Sequence, residues 1–385
     1  MNGTIYQRQL HLPALLEKKS FFLFGARGTG KSFLIRQQLP HAQVFDLLHA
    51  PTFERLSRRP TLLEETSRQS HDIIVIDEIQ KLPKLLDEVH RLIEERGARF
   101  LLTGSSARKL RRGSANLLAG RAWQANLFPL TSAEIPHFEL SRYLTHGGLP
   151  AIYAAEEPWE ELKAYTGTYL REEIVAEAAV RKLDAFVSFL DVAALKVGEE
   201  VNFESLASDS GVPPRTITNF FEVLRDTLIG FLLEPFRLTV KRKATTRAKF
   251  YLFDVGVTNA LAGRRELPDA SDIFGRNFEQ FVILELRAFL AYQRRDERLT
   301  FWRSQSGFEV DCLVGTTLAI EIKSTTLVHE RHLKGLRALR EEGLIARYCI
   351  VSRDPEQRMV DSMTIYPWQE FLRLLWSGQL LGAVS

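Results

Sequence analysis

The stretch Gly25-Ala26-Arg27-Gly28-Thr29-Gly30-Lys31-Ser32 fits the pattern G-x-x-x-x-G-K-(S/T) and stands between two apolar runs, Phe21-Phe22-Leu23-Phe24 and Phe33-Leu34-Ile35. A strand, a glycine-rich loop and a helix in that order make a polyphosphate cradle: glycines let the backbone wrap closely with its N–H groups inward, and the helix N-terminus adds partial positive charge. In this arrangement Lys31 reaches the β- and γ-phosphates of ATP and the Ser32 hydroxyl holds Mg2+. The competing reading, an accidental glycine-rich turn, explains neither flanking run.

Further apolar runs at Val44-Phe45, Ile73-Ile74-Val75-Ile76 and Phe100-Leu101-Leu102 are separated by helix-compatible stretches. Short strands without polar alternation, alternating with helices, predict an α/β domain built on a parallel sheet, whose ligands bind at the carboxyl ends of its strands. Asp77-Glu78 follows one such run directly. Asp77 is expected to bind the metal and Glu78 to act as base on the attacking water, against the alternative of two solvated turn carboxylates. The next run ends in Thr103-Gly104-Ser105-Ser106, so Thr103 and Ser105 either sense the γ-phosphate or form a common turn. Arg108, Arg111, Arg112 and Arg121 follow; one of them could neutralise transition-state charge, in cis or from a second copy in a homo-oligomer.

A chain of 385 residues with 45% hydrophobic content implies two to four folded domains. A net charge of +3 leaves no overall bias toward nucleic acid, so a basic surface must be local. Two cysteines, Cys312 and Cys349, exclude a disulfide framework, no signal-peptide layout opens the chain, and no apolar run is long enough for a membrane span. The cytoplasm is the expected compartment, with no membrane partner.

The expected boundaries are 1–130 for the ATPase domain, 131–195 for a helical lid or linker punctuated by Gly147-Gly148-Leu149-Pro150, 196–255 for a winged helix-turn-helix, and 256–385 for a mixed α/β domain. In the third segment a helix over Phe203–Ser208, a turn at Gly211 and a helix from Pro213-Pro214 through Leu228 bury Phe220, Val223 and Leu224, leaving Arg215, Thr218 and Asn219 outward. The runs 231–236 and 250–252 would form the wing. Between and beside them lie Arg237, Lys241, Arg242, Lys243, Arg247 and Lys249, which could contact DNA or RNA phosphates or, as in many ATPases, only pack or solvate.

In the fourth segment, Phe308–Val314, a Gly315-Thr316-Thr317 turn and Leu318–Lys323 read as a hairpin. Pairing 314 with 318 places Cys312 across Ile320 and Val310 across Ile322 on one face, with Asp311 across Glu321 and Glu309 across Lys323 on the other. Two facing carboxylates conflict unless a cation or proton intervenes.

Arg8, the phosphate loop, Asp77-Glu78-Ile79-Gln80-Lys81, Leu102–Ser106, Leu118–Arg121 and Gly147–Pro150 together resemble a large prokaryotic family of AAA-superfamily ATPases that carry a C-terminal domain of unknown function. Two departures are Ala26, where that family usually has proline, and Gly28, where glutamine is common. Separately, Glu279, Asp311 and Glu321-Ile322-Lys323 resemble the core of the PD-(D/E)xK nuclease superfamily. The resemblance implies metal binding by Asp311 and Glu321, a water-positioning or activating Lys323, and a supporting Glu279 on the preceding helix. It leaves two readings: an ATPase coupled to a nuclease-like, nucleic-acid-binding domain, or an ATP-dependent switch whose inactive nuclease-like domain binds a protein partner.

Overall fold

The computed structural model describes residues 5–66, 73–104, 118, 120–170 and 183–382. Strands β1 (Ser20–Phe24), β2 (Gln43–Asp46), β3 (Ile73–Asp77), β4 (Arg99–Gly104) and β5 (Ala122–Asn126) form a parallel sheet in the order β2-β3-β4-β1-β5. Alternate residues feed opposite faces, as the pleat requires. Ile74, Ile76, Phe100 and Leu102 enter one core, while Val75, Leu101, Phe21 and Leu23 enter the other, so central strands read as unbroken apolar runs. Strand β5 is an edge strand whose residues are all exposed or half-buried, which is why Ala-Trp-Gln-Ala-Asn carries no apolar run. Strand β4 lies between β1 and β3, and this insertion puts its carboxyl end between the phosphate loop and Asp77.

Short helices Leu140–His146, Pro150–Tyr153 and Pro158–Ala164 follow, then Leu183–Leu195. Asp254 draws this segment in: its carboxylate accepts Gly148 N at 2.7 Å and caps the helix Val255–Leu261 through Val257 N at 3.0 Å. The glycine pair is required here, because Gly147 has φ +77° and a Cβ on it would lie 2.0 Å from Asp254 Oδ1. The helix-turn-helix forms over Phe203–Ser210 and Pro214–Asp226, with Asn202 capping the first helix and Gly211 at φ +67° ending it. Arg215, Thr218 and Asn219 face solvent as expected.

The C-terminal sheet comprises β6 (Gly230–Pro235), β7 (Lys249–Leu252), β8 (Leu299–Arg303), β9 (Glu309–Val314), β10 (Leu318–Ile322), β11 (Arg347–Ser352), β12 (Arg358–Val360) and β13 (Met363–Pro367). Its order is β12-β13-β11-β10-β9-β8-β6-β7. The expected wing, β6–β7, is thus the edge of this sheet: β6 pairs in parallel with β8 through Glu234↔Thr300 and Pro235↔Phe301. Hairpin β9–β10 has the anticipated register, Val314↔Leu318 and Cys312↔Ile320. Helix Asp272–Tyr292 packs against the sheet and also reaches β5 of the first one. Among the described residues no helix is long and apolar enough to cross a membrane.

Candidate functional site

At the carboxyl ends of β1, β3 and β4 the phosphate loop, Asp77-Glu78 and Thr103 converge. Gly28 and Gly30 sit at φ +84° and +95°, where a side chain would cost about 1–2 kcal/mol. Gly25 is held to hydrogen by space, since a Cβ would lie 2.6 Å from Leu127 O. Helix Lys31–Gln38 starts from Gly30, and the Lys31 ammonium turns back onto the loop, donating to Gly25 O at 2.6 Å and Ala26 O at 3.4 Å. Ala26 O also accepts from Thr29 Oγ1 at 2.9 Å, so position 26 contributes backbone, and alanine in place of proline leaves that role intact. Arg27 is exposed, and its carbonyl accepts the Tyr165 hydroxyl at 2.9 Å.

Asp77 is held from both sides. Ser32 Oγ donates to its Oδ2 at 3.0 Å, and Thr103 Oγ1 donates to its Oδ1. Thr103 Oγ1 also accepts Glu78 N at 3.2 Å, bracing Glu78 in the left-handed conformation, φ +62°. Gln80 Nε2 donates to Glu78 Oε2. The structure therefore brings Lys31, Ser32, Asp77, Glu78 and Thr103 together. A hydroxyl and a carboxylate side by side are the hard oxygen donors that magnesium takes, and the glycine-opened loop fits a polyphosphate. Ser105, Arg108, Arg111 and Arg112 lie outside the described residues; Arg121 pairs with Glu94 at 2.5 Å. Gln80 was legible as a residue of the Asp-Glu-Ile-Gln run but not as a partner, since the bond depends on the turn that begins at Glu78.

Arg8 ties this loop to the C-terminal part. Its guanidinium donates to Thr29 O at 2.8 Å and Phe128 O at 2.5 Å, pairs with Glu134 at 3.1 Å, and reaches the Tyr292 hydroxyl at 3.4 Å. Seven residues before Tyr292 on the same helix, Glu285 is buried and accepts Ser132 N at 2.6 Å, Ser132 Oγ at 2.9 Å and Trp376 Nε1 at 2.6 Å. Burial pushes the Glu285 carboxyl up to about 7 against the pull of those donors.

The second cluster lies where β7, β9, β10 and helix Asp272–Tyr292 meet. Asp311 Oδ2 accepts Ile322 N at 2.8 Å and Lys323 Nζ at 3.1 Å, and Lys323 Nζ lies 2.7 Å from Glu321 Oε1. The expected Glu309–Lys323 pair does not form. The β9–β10 pairing ends at Cys312↔Ile320 and β10 itself at Ile322, Lys323 N bonds to Val351 O at 2.9 Å, and the side chain turns over Asp311 and Glu321. Glu309 pairs instead with Lys249 at 2.6 Å and Arg303 at 3.7 Å. Glu279 accepts the Tyr251 hydroxyl at 2.6 Å and Lys249 Nζ at 3.2 Å.

Charges in this cluster are set by burial and by one another. Burial, then the charge of Asp311, pushes Glu321 up to about 8, and its buried Oε2 has no hydrogen-bond partner among the described residues. Burial also raises Glu279. Asp311 is desolvated too, but Lys323, Lys249 and the Ile322 N–H hold it below the usual carboxylate range. Both lysines stay charged: desolvation opposes them, and the surrounding carboxylates outweigh it. Oxygen donors and the unpartnered Glu321 Oε2 suit a divalent cation, yet among the described residues no group of three or more His, Cys, Asp and Glu gathers in metal-holding geometry. Here a lysine spans the facing carboxylates instead. Lys249 and Tyr251 were missed as site residues because they come from the supposed wing, and only the sheet order brings them in.

The basic loop between β6 and β7 is docked rather than open. Glu342 accepts the backbone N–H of Val240, Lys241 and Arg242, each at 2.9 Å, while Arg242 donates to Glu341 at 2.6 Å and to Ala338 O at 3.1 Å. Lys241 Nζ donates to Glu341 O. Trp302 is core, fully buried, with Nε1 3.3 Å from Thr239 Oγ1.

Residues 17–136 match a family model described as an AAA domain. The N-terminal unit is thus similar to an AAA domain. Residues 137–267 and 274–371 match models described as domains of unknown function, DUF8612 and DUF4143. Over 325 residues the chain is 28% identical to an uncharacterized protein of Mycobacterium tuberculosis, covering 79% of this chain and 70% of that one. An uncharacterized Haemophilus influenzae protein is 24% identical over 323 residues, covering 74% of this chain and 80% of its own. Among solved structures, the Aeropyrum pernix ORC1 protein in complex with DNA aligns at TM-score 0.28 and 14% identity, over 68% of this chain and 98% of that one. The Bacillus subtilis DNA clamp loader delta protein aligns at 0.23 and 13%, over 55% and 86%. Scores at that level decide nothing about activity or partners.

Proposed function

We propose that this chain hydrolyses ATP with magnesium at its N-terminal site and couples turnover to a nuclease-like, nucleic-acid-binding C-terminal domain. The observation that carries the first half is the continuous arrangement Ser32–Asp77–Thr103–Glu78, in which one buried hydroxyl positions both acids. When bound, magnesium supplies neutralisation of polyphosphate charge, with Ser32 and Asp77 as its protein donors. Lys31 leaves the loop carbonyls for the phosphates, and the Glu78 carboxylate accepts a proton from the attacking water. Gln80 holds the Glu78 carboxylate in place.

The second half is supported by the carboxylate–lysine cluster on β9 and β10. A specific observation favours the other reading, a nucleotide-dependent switch with an inactive nuclease-like domain and a protein partner: Lys241 and Arg242 are spent on Glu341 and Glu342. One experiment separates them. Purified protein is incubated with DNA and RNA, magnesium or manganese, and with or without ATP, beside Lys31→Ala, Glu78→Gln and Lys323→Ala. The proposal expects ATP hydrolysis to vanish in the first two and cleavage to vanish in the third. Hydrolysis surviving Lys31→Ala overturns the ATP site, and cleavage surviving Lys323→Ala, or absent throughout, leaves the switch.

A further inference from the structure

We propose that the cleft between helix Asp272–Tyr292 and strands β6 and β8 binds a small carboxylate with an apolar body, anchored by Arg287. The cleft has a volume of about 360 Å³ and shares no residue with either cluster described above. Leu232, Leu233, Leu290 and Leu299 give it apolar walls, and Arg287, Arg295 and Glu297 are its charged groups. Arg287 comes from the helix and lies between two rings, its guanidinium carbon 4.1 Å from the centre of Phe231 and 5.1 Å from that of Phe128. Phe128 follows β5 of the first sheet and Phe231 belongs to β6 of the second, so the cleft stands at a junction between units, where ligand pockets concentrate.

The charges decide the ligand. Arg295 is already engaged, donating to Glu297 at 2.9 Å and to Gly382 O at 2.8 Å. Arg287 is half-buried and lines the cleft, yet among the described residues it makes no hydrogen bond and no ion pair, although a guanidinium carries five N–H donors. The two rings hold its faces but leave those donors unmatched. Desolvation draws its pKa down to about 10 and no carboxylate opposes the shift, so it is still a cation at neutral pH. An unpaired cation among apolar side chains is costly, and an anion that enters the cleft removes that cost. A carboxylate matches the planar fork with two parallel bonds. One uncompensated positive charge calls for one negative charge, and the leucine walls call for an apolar remainder. That combination puts a monocarboxylate ahead of a phosphate ester or a nucleic acid.

The test is calorimetric titration of the full chain with octanoate, beside octanamide, which has the same length without the charge. The parental chain is expected to bind one octanoate saturably and octanamide about tenfold or more weakly, the loss that follows from removing a charge-assisted bidentate contact. Arg287→Met, which keeps an unbranched apolar side chain, is expected to weaken octanoate to the level of octanamide and to leave octanamide unchanged. The proposal is overturned if the parental chain takes up no octanoate at millimolar concentration or takes it up without saturating. It is equally overturned if octanamide binds as tightly as octanoate, or if Arg287→Met binds octanoate like the parent. Should Arg287→Met fail to fold, Arg287→Gln, which keeps a polar side chain and loses the charge, takes its place under the same criteria, and the comparison of octanoate with octanamide needs no variant.

Discussion

Replacing Thr103 by valine removes one hydroxyl and almost no volume, and it tests the core of the ATP site. The side chain is fully buried, so no water replaces the hydroxyl. Two bonds disappear together: the one donated to Asp77, and the one accepted from Glu78 N, which braces a glutamate at φ +62°. A hydrogen bond to a charged group is worth about 1.5–3 kcal/mol and a neutral one about 1, and the two share an atom, so about 2–3 kcal/mol of positioning is lost. On the proposed mechanism both acids act on the reacting end of the nucleotide, whereas the phosphate loop supplies most ground-state contacts. The loss should therefore fall on turnover: kcat for ATP drops about 30- to 150-fold while KM changes little. Steady-state hydrolysis, with nucleotide affinity measured separately, reads both quantities. Thr103→Ser should keep most of the rate. A Thr103→Val enzyme within threefold of the parental kcat, or one that loses affinity and keeps kcat, would refute the assignment.

Glu342→Gln strips charge from a carboxylate, 1% exposed, that accepts three backbone N–H groups; it should loosen the 237–247 loop and raise the rate of tryptic cleavage at Lys241–Lys243 several-fold. Gly147→Ala should destabilise the chain by more than about 2 kcal/mol in urea unfolding, because the new methyl would meet Asp254 and φ is +77°. Glu285, whose pKa rises from 4.5 to about 7, holds a proton in the folded state that the unfolded chain has released. Its contribution to stability is therefore full below pH 4.5, declines as pH rises to 7 and is constant above, by about 3 kcal/mol at most. Thermal midpoints of Glu285→Gln should show a shallower decline over that window than the parent.

The convergence of the phosphate loop with Asp77-Glu78 was legible because it is set locally. Gly25–Ser32 and Asp77-Glu78 each form within one strand-to-turn junction, so spacing along the chain nearly specifies spacing in the fold. Thr103 could not be separated from an ordinary turn until the strand order was known, since its role comes from β4 lying between β1 and β3. The β9–β10 register was legible for the same local reason, a short turn fixing which residues face each other. Lys249 and Tyr251 were not, because they enter from an antiparallel edge hairpin and a parallel β6–β8 pairing that no periodicity encodes. Likewise Lys241 and Arg242 form a basic patch in one dimension, and in three Glu341 and Glu342, a hundred residues on, pair with Arg242 and hold the loop's backbone.

Helix Asp272–Tyr292 spans the distance between the two clusters. Glu279, near its start, sits in the carboxylate–lysine cluster, Glu285 holds Ser132, and Tyr292 meets Arg8, whose partners include Thr29 O in the phosphate loop. From Glu279 to Tyr292 a helix rises about 20 Å, and its buried interior face leaves no hinge between them. A displacement of the phosphate loop that moves Thr29 O acts on Arg8, a cation with a 4% exposed side chain paired to an equally buried Glu134, where breaking the pair costs about 3–5 kcal/mol. Moving the group intact therefore costs less than breaking it, and the rod's far end bears on Glu279 and, through it, on Lys249. The helix thus contacts different chemistry at its two ends, and the basic loop first read as a possible nucleic-acid contact is docked on Glu341 and Glu342.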